Sequence, residues 1–157
     1  MIKKISISGS GGQGVKLMSL LLSKIITKLD YNVSLVFDYD SAMRGGGIDS
    51  FIVYSDEKIG NPLMDKADIH IKLSESRDIE AEEIICQKGL CDGKEIDFKE
   101  IARNEFGNVI VVNMLSLGFL LKKLNISLGK IDFDEILPER NKKQNIEAIK
   151  YGYNLKE

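Results

Sequence analysis

The sequence contains few side chains that bind metals or carry out redox chemistry. Of its 157 residues only two are cysteines, Cys86 and Cys91, and only one is a histidine, His70. An iron–sulfur cluster takes about four thiolates, so this chain cannot hold one alone. The cysteines also lack the Cys-x-x-Cys spacing of tight metal and redox sites. We interpret both as unpaired structural residues, Cys86 buried in a strand and Cys91 in a loop, and His70 as a packed or surface strand residue.

A surplus of basic charge and a long apolar run are also missing. The 22 basic and 24 acidic side chains give a net charge of −2, which excludes a general binder of the nucleic-acid backbone. The longest apolar stretch, residues 109–121, is interrupted by Asn113 and Ser116 and is shorter than the ~20 residues of a membrane span. No cleavable targeting segment is recognisable at the start, so we expect a cytoplasmic protein.

Hydrophobic periodicity predicts alternating strands and helices. This alternation is typical of an α/β protein with a mainly parallel sheet, opening with a Rossmann-like βαβ unit. The length is that of one domain, residues 1–157. The stretch 74–94 is charged and irregular, and its structure is the hardest to predict. The predicted strands are 2–8, 33–37, 48–54, 69–73, 83–86 and 109–112, with one helical turn at 63–66 and helices at 15–29, 97–105, 115–124, 132–136 and 141–151.

A glycine-rich segment lies between the first strand and the first helix. It contains Gly9, Gly11, Gly12, Gln13 and Gly14. Glycine permits a positive φ and lets foreign atoms approach the backbone, and a helix amino terminus favours an anion or a carbonyl oxygen. We predict that this loop faces a cofactor or a partner chain; a tight turn with no further role is the plainer interpretation.

The same segment also fits the Gly-x-Gly-x-x-Gly spacing of dinucleotide-binding folds. Asp38, at the end of the second predicted strand, stands about where such folds place the carboxylate that binds ribose. A stand-alone module that binds NAD or FAD is therefore the alternative hypothesis. Against it, 157 residues leave little chain for a substrate domain.

A second glycine-rich loop follows the second predicted strand. Its informative residues are Arg44, Gly45 and Gly46, because a guanidinium beside bare backbone can clamp a carboxylate or a phosphate with two hydrogen bonds. Loops that follow neighbouring strands at their carboxyl ends line the binding crevice of an open parallel sheet. We expect both glycine loops at the same rim of the sheet.

These segments resemble the gamma subunits of 2-oxoacid:ferredoxin oxidoreductases. The first loop is similar to the Gly-x-Gly-Gly-Gln-Gly segment that opens those subunits, and the second to their Arg-Gly-Gly loop and the strand after it. Two later segments are similar to their Asn-Met-x-x-Leu-Gly and Asn-x-x-Ala-x-x-x-Gly-Tyr motifs. The matching residues are 9–15, 43–46, 48–55, 113–118, and Asn145, Ala148, Gly152 and Tyr153.

The resemblance implies a three-layer α/β/α domain within a larger enzyme that oxidatively decarboxylates a 2-oxoacid to an acyl-CoA. Thiamine diphosphate, iron–sulfur clusters and coenzyme A would then belong to the complex, with none held by this chain alone. The implied partners are alpha, beta and ferredoxin-like delta subunits, with ferredoxin as acceptor. No residue of this chain is expected to be catalytic or to bind a metal.

Asn113 is by default a helix N-cap and otherwise a candidate contact to the crevice. The identity of the 2-oxoacid and the formation of a homodimer by the isolated chain stay open.

Overall fold

A six-stranded sheet in the order β2-β3-β1-β4-β5-β6 forms the first part of the chain. The computed structural model describes residues 1–40 and 46–157. Five strands run in one direction, and β3 alone runs the other way because it pairs antiparallel with both β1 and β2. The mixed α/β class and the mainly parallel sheet are thereby confirmed. The strands are β1 (Ile2–Ser10), β2 (Asn32–Asp40), β3 (Gly47–Ser55), β4 (Ala67–Lys72), β5 (Ala81–Gln87) and β6 (Lys94–Ile96).

The chain divides into two units, residues 1–96 and 97–157. The first holds the sheet and helix α1 (Val15–Lys28). The second holds helices α2 (Phe98–Phe106), α3 (Val112–Lys123), α4 (Phe133–Ile136) and α5 (Lys142–Tyr153). The single domain 1–157 expected from length stays a prediction. No helix in the described ranges has the length and apolar content that crossing a bilayer demands.

Strand β3 lies between β1 and β2, where the sequence suggested that β1 and β2 would be neighbours. Strand β2 is an edge strand with no fully buried residue. Its apolar composition reflects its packing against α1 on one face. The registers align Asp38 of β2, Asp49 of β3, Ser8 of β1 and Lys72 of β4 in one row across the sheet.

The two faces of the sheet differ in chemistry. Helix α1 packs on the face that carries Ile5, Ile7 and Ile52, and Ser19 of the helix lies 2.6 Å from Ser50 of β3, hydroxyl to hydroxyl. Because side chains alternate along a strand, the opposite face carries the buried polar residues Ser6, Ser8, Asp49, His70 and Lys72. The polar residues of the first unit are therefore concentrated on the face away from α1.

The second unit begins with a well-capped helix. Asp97 accepts a hydrogen bond from the amide of Glu100 at 3.1 Å, and Gly107 ends α2 in the left-handed conformation. The predicted strand at 109–112 is wrong: Val109–Val111 forms a 3-10 turn that continues into α3. The side chain of Asn108 accepts from the amide of Ile110 and starts that turn. Ten consecutive residues of α3 are buried. The apolar run therefore shows neither helical nor strand periodicity, and its pattern cannot distinguish the two.

Helices α3 and α5 pack closely through two glycines. A Cβ on Gly118 of α3 would overlap the carbonyl oxygen of Ile149, and a Cβ on Gly152 of α5 would overlap that of Leu115. Gly152 therefore lies inside α5, which continues to Tyr153, beyond the predicted end at residue 151. The expected helical turn at 63–66 is also absent, and β6 was not predicted.

The two cysteines are bonded to each other, so the interpretation of both as unpaired residues is wrong. Cys86 lies buried in β5 and Cys91 in the loop before β6, as expected, but their sulfur atoms form a disulfide. Their Cα atoms are 6.3 Å apart, within the range that a disulfide spans. The loop folds back over its own strand, a path that the spacing in sequence does not reveal.

Candidate functional site

The first glycine turn and Gly46, the described end of the second glycine loop, lie at the same end of the sheet and are joined by a hydrogen bond. The backbone amide of Gly11 donates to the carbonyl of Gly46 at 2.7 Å. Gly47 at the start of β3 pairs with Ser10 of β1 and with Asp40 of β2, which brings the ends of β1 and β2 to this rim. We expected the ends of β1 and β2 to be close because the two strands would be parallel neighbours. They are close because the antiparallel strand β3 pairs with both of them.

Glycine is required at three positions of the first turn. Gly12 and Gly14 have φ values of 84° and 72°, in the left-handed region that side chains other than glycine rarely adopt. A Cβ on Gly9 would stand 2.5 Å from a methyl group of Val15 and 2.8 Å from the amide oxygen of Gln13. Gly11 keeps its backbone close to Gly46. These residues hold the turn tightly against the start of α1.

Gln13 fixes the turn through both ends of its side chain. Its Oε1 accepts from the amide of Ser10 at 2.8 Å, and its Nε2 donates to the carbonyl of Leu73, just after β4, at 3.1 Å. The donor and the acceptor of this glutamine side chain are therefore both bonded to the chain's own backbone. Gln13 positions the glycine turn; a direct contact with a cofactor or partner stays a prediction.

A hollow of about 570 Å³ opens beside the two turns. Its apolar side is formed by residues that are unusually exposed for their type: Tyr39 is 64% exposed, Leu20 39% and Leu17 36%. Its polar side is the backbone of the glycine turn, with Lys16 in the first turn of α1. The rim therefore offers an apolar surface next to bare peptide groups. Among the described residues, the hollow is lined by Ser10, Gly11, Gly12, Gly14, Val15, Lys16, Leu17, Leu20, Tyr39, Gly46, Gly47 and Ile48.

The amino end of α1 gives this hollow a positive character. The N-cap is Gly14, which has no side chain of its own to cap the helix, and no acidic residue lies in the first turn. Lys16 adds a full positive charge where the helix dipole already favours an anion. A positive charge in the first turn of a helix is unfavourable because it lies at the positive end of the helix dipole. This unfavourable position is the sequence signal that could have identified Lys16 as part of the site.

Asp38 lies away from this hollow and is paired with Arg77. The guanidinium of Arg77 contacts the Asp38 carboxylate at 2.6 Å and the buried Asp49 carboxylate at 2.9 Å, and Asp49 also accepts from Ser8. The hydrogen bond to Asp38 and the charge of Asp49 raise the pKa of Arg77 above its ordinary value. With β3 between β1 and β2, and with its carboxylate engaged, Asp38 is not placed like the ribose-binding residue of the NAD hypothesis.

His70 lies buried on the polar face of the sheet, away from the glycine turns. Its Nδ1 is 2.8 Å from the hydroxyl of Ser6, and 1% of the residue is exposed. Burial lowers the pKa of His70 to about 4, although the hydrogen bond with Ser6 and the charge of Asp49 act in the opposite direction. The imidazole is therefore neutral near pH 7. No group of three or more His, Cys, Asp or Glu in the described parts of the chain is arranged to hold a metal ion.

The remaining predicted site residues have different outcomes. Arg44 and Gly45 fall outside the described residues, whereas Gly46, with φ 73°, lies at the rim. Asn113 is buried in the first turn of α3 in the second unit, and the N-cap position belongs to Val111, so its expected capping role is wrong. A contact from Asn113 to the crevice stays a prediction. Leu17, Leu20, Tyr39 and Ile48, missed from the sequence, line the hollow.

Comparison with known proteins places these features in a family. The family model described as "Pyruvate ferredoxin/flavodoxin oxidoreductase" matches residues 4–85 and 91–155. A relative named "2-oxoglutarate synthase subunit KorC", from Methanocaldococcus jannaschii, is 29% identical over 99% of this chain and 94% of its own length. The chain therefore has nearly the full extent of that subunit.

Solved structures show the same fold at lower sequence identity. A keto/oxoacid ferredoxin oxidoreductase gamma subunit from Geobacter sulfurreducens has a TM-score of 0.66 at 19% identity, over 98% of this chain and 95% of that one. A 2-oxoglutarate:ferredoxin oxidoreductase from Magnetococcus marinus has a TM-score of 0.68 at 17% identity, over 97% of this chain and 30% of that one. By the match along most of its length and the shared gamma-subunit fold, the chain belongs to the pyruvate ferredoxin/flavodoxin oxidoreductase family.

Proposed function

We propose that this chain is the gamma subunit of a 2-oxoacid:ferredoxin oxidoreductase, and that its glycine rim forms part of the coenzyme A site. The observation that carries the proposal is the hydrogen bond between Gly11 of the first glycine turn and Gly46, beside the amino terminus of α1. The relative from M. marinus is described with 2-oxoglutarate, coenzyme A and succinyl-CoA bound, which supports coenzyme A as the ligand class. The alpha and beta subunits would hold thiamine diphosphate and a ferredoxin-like delta subunit the iron–sulfur clusters, in the cytoplasm.

The residues of the hollow fit the two chemical halves of coenzyme A. The first-turn amides of α1 and the ammonium group of Lys16 would bind phosphate oxygens, since a helix amino terminus favours anions. Leu17, Leu20 and Tyr39 would pack against the less polar arm of the molecule. Bound coenzyme A would supply the thiol that accepts the acyl group; this chain's residues would position it and limit water around it.

Docking of a partner subunit is the second interpretation of the same rim. The specific observation in its favour is the exposure of Tyr39, Leu17 and Leu20 side by side, because neighbouring exposed apolar residues are characteristic of interaction surfaces. Both interpretations assume that the chain is a subunit of the same enzyme. They differ in whether the rim contacts a small ligand or a partner protein.

Charge reversal at Lys16 tests the coenzyme A site. In the complex reconstituted from all its subunits, Lys16→Glu should raise the KM for coenzyme A about tenfold, the effect of one charge-assisted hydrogen bond, and leave kcat nearly unchanged. Lys24→Glu is the matched control, since Lys24 is exposed on the same helix and does not line the hollow. An unchanged KM in Lys16→Glu would refute the ligand assignment. Loss of subunit assembly in Tyr39→Ala, with coenzyme A kinetics intact in Lys16→Glu, would support docking.

A further inference from the structure

A second cavity, of about 800 Å³, lies on the sheet face opposite α1. Two strand connections cross this face and form its walls: residues 73–80 between β4 and β5, and residues 88–93 between β5 and β6. Its floor includes His70 and Lys72 of β4 and Ile84 of β5, which all point to the polar face. The cavity lies wholly within the first unit and shares no lining residue with the glycine hollow.

Both walls are tied to the sheet. Arg77 holds the first connection through its ion pairs with Asp49 and Asp38. The disulfide between Cys86 and Cys91 holds the second against β5. These links keep the cavity open and shaped without a ligand, as is usual for small-molecule sites.

The floor of the cavity carries a buried cation that lacks a close counter-ion. Lys72 is 8% exposed, and in the described parts of the chain the one carboxylate within 4 Å of its Nζ is Asp78, at 3.9 Å. Asp78 is itself fully exposed, so this pairing is weak. Two residues away on the same face, His70 has a buried Nε2 with no hydrogen-bond partner among the described residues. A buried ammonium group is costly unless an anion accompanies it, and the unpartnered imidazole nitrogen next to it offers a further polar contact.

The outer part of the cavity has the opposite charge. Asp78, Glu82, Asp92 and Glu95 line it, and all four are exposed. Glu82 is loosely paired with Lys66 at 3.8 Å, and Glu95 accepts from the amide of Gly89 at 3.0 Å, yet each carboxylate keeps further acceptor sites. This rim repels a ligand with several negative charges and attracts one with a positive group at its outer end.

We propose that this cavity binds a small zwitterion of the α-amino-acid class, with its carboxylate on Lys72 beside His70 and its ammonium group toward the acidic rim. A 2-oxoacid carries the same carboxylate without the ammonium group, so the cavity distinguishes an amino acid from the corresponding 2-oxoacid. The site is separate from the glycine hollow and does not depend on the coenzyme A proposal.

Heteronuclear NMR titration of the labelled full chain tests this assignment. The probes are L-alanine against pyruvate and L-glutamate against 2-oxoglutarate, two pairs that differ by an ammonium and a keto group. At least one amino acid should give saturable shifts at residues of β4 and of the connection 73–80, and its 2-oxoacid should bind about tenfold more weakly, as expected for loss of one charged contact. Absence of saturable shifts at millimolar amino acid, shifts elsewhere in the chain, or tighter binding of the 2-oxoacids would overturn the proposal.

Substitution of the buried cation gives a second test. Lys72→Met removes the charge and keeps an unbranched side chain only one heavy atom shorter, so the fold should survive, and amino-acid affinity should fall about tenfold. Lys24→Met, on the helix that covers the other face, should bind like the unaltered chain. Equal affinity in Lys72→Met and Lys24→Met would refute the role of Lys72. If Lys72→Met does not fold, the shift map of the unaltered chain decides alone.

Discussion

The carbonyl oxygen of Leu73 accepts a hydrogen bond from the side chain of Gln13, 60 residues earlier in the chain, at 3.1 Å. The other end of the same side chain accepts from the amide of Ser10 at 2.8 Å. One glutamine thus links the glycine turn after β1 to the end of β4. The shape of the rim depends on this link as much as on the glycines.

Gln13→Ala should loosen the glycine turn. It leaves the amide of Ser10 and the carbonyl of Leu73 without their partner, at a cost of about 1–2 kcal/mol in the free energy of unfolding. Faster hydrogen exchange at the Ser10 amide and a lower urea midpoint are the expected results. Gln144→Ala is the control, because Gln144 makes one long bond of 3.4 Å to Phe106 and its loss should have little effect. Unchanged exchange at Ser10 would contradict the positioning role of Gln13.

His70 should make the protein less stable in acid. Burial lowers its pKa to about 4 in the folded chain, against an ordinary value of 6.5. Between these two values the unfolded chain binds a proton that the folded chain does not, so stability falls as the pH decreases from about 6.5 to about 4. The full loss is about 3 kcal/mol.

The measurement for His70 is urea unfolding across that pH range, compared with His70→Gln, whose curve should lack this component. Because the chain has one histidine, its ring proton signal in NMR reports the pKa directly. A midpoint near 6.5 would show that the imidazole is not buried as described.

Arg77→Gln should destabilise the first unit mainly through Asp49. The Asp49 side chain is 6% exposed, so loss of the guanidinium leaves a buried carboxylate whose remaining hydrogen-bond partner among the described residues is Ser8, at a cost of about 2 kcal/mol. Asp38→Asn should cost less than about 1 kcal/mol, because that carboxylate is 53% exposed. Unfolding midpoints in urea measure both. Equal effects of the two substitutions would mean that burial of Asp49 does not dominate.

Gly118→Ala and Gly152→Ala should each disrupt the packing of α3 on α5. The new methyl group would overlap a backbone carbonyl of the facing helix, which a side-chain rotation cannot relieve, and we expect a loss of about 2–3 kcal/mol or more. Gly129→Ala in the same unit is the control, since the nearest atom to its Cβ would be the Ser127 hydroxyl at 3.7 Å. Thermal unfolding followed by circular dichroism measures the three variants. Similar melting curves for all three would contradict the close helix contact.

The elements that were predicted well have local signals. Asp97 and Gly107 delimit α2, Asp132 caps α4, and the alternation of β1 is clear, so these boundaries agree within one or two residues. The glycine turn was likewise recognisable from its spacing. The position of β3 between β1 and β2 was not, because pairing depends on long-range contacts that leave no local pattern.

The missed parts of the site have the same cause. Gln13 was among the predicted site residues, but its partner Leu73 lies in another connection and could not be inferred. Leu17, Leu20 and Tyr39 have the apolar character of core residues, and only the geometry of the rim shows that they are exposed. The disulfide was also missed. Cys86 and Cys91 do not have the spacing of a recognised cysteine motif, and they meet because residues 87–91 fold back onto β5.

The two residues that anchor the glycine turn to the rest of the sheet, Gly46 and Leu73, come later in the chain. This sets an order for the formation of the turn on the ribosome. Gly46 and Leu73 emerge well after Gly11 and Gln13, so the nascent turn cannot close until β4 has been synthesised. A pause or truncation before that point would leave the segment without its two anchors. The rim is therefore a late product of translation, although its residues are among the first to be made.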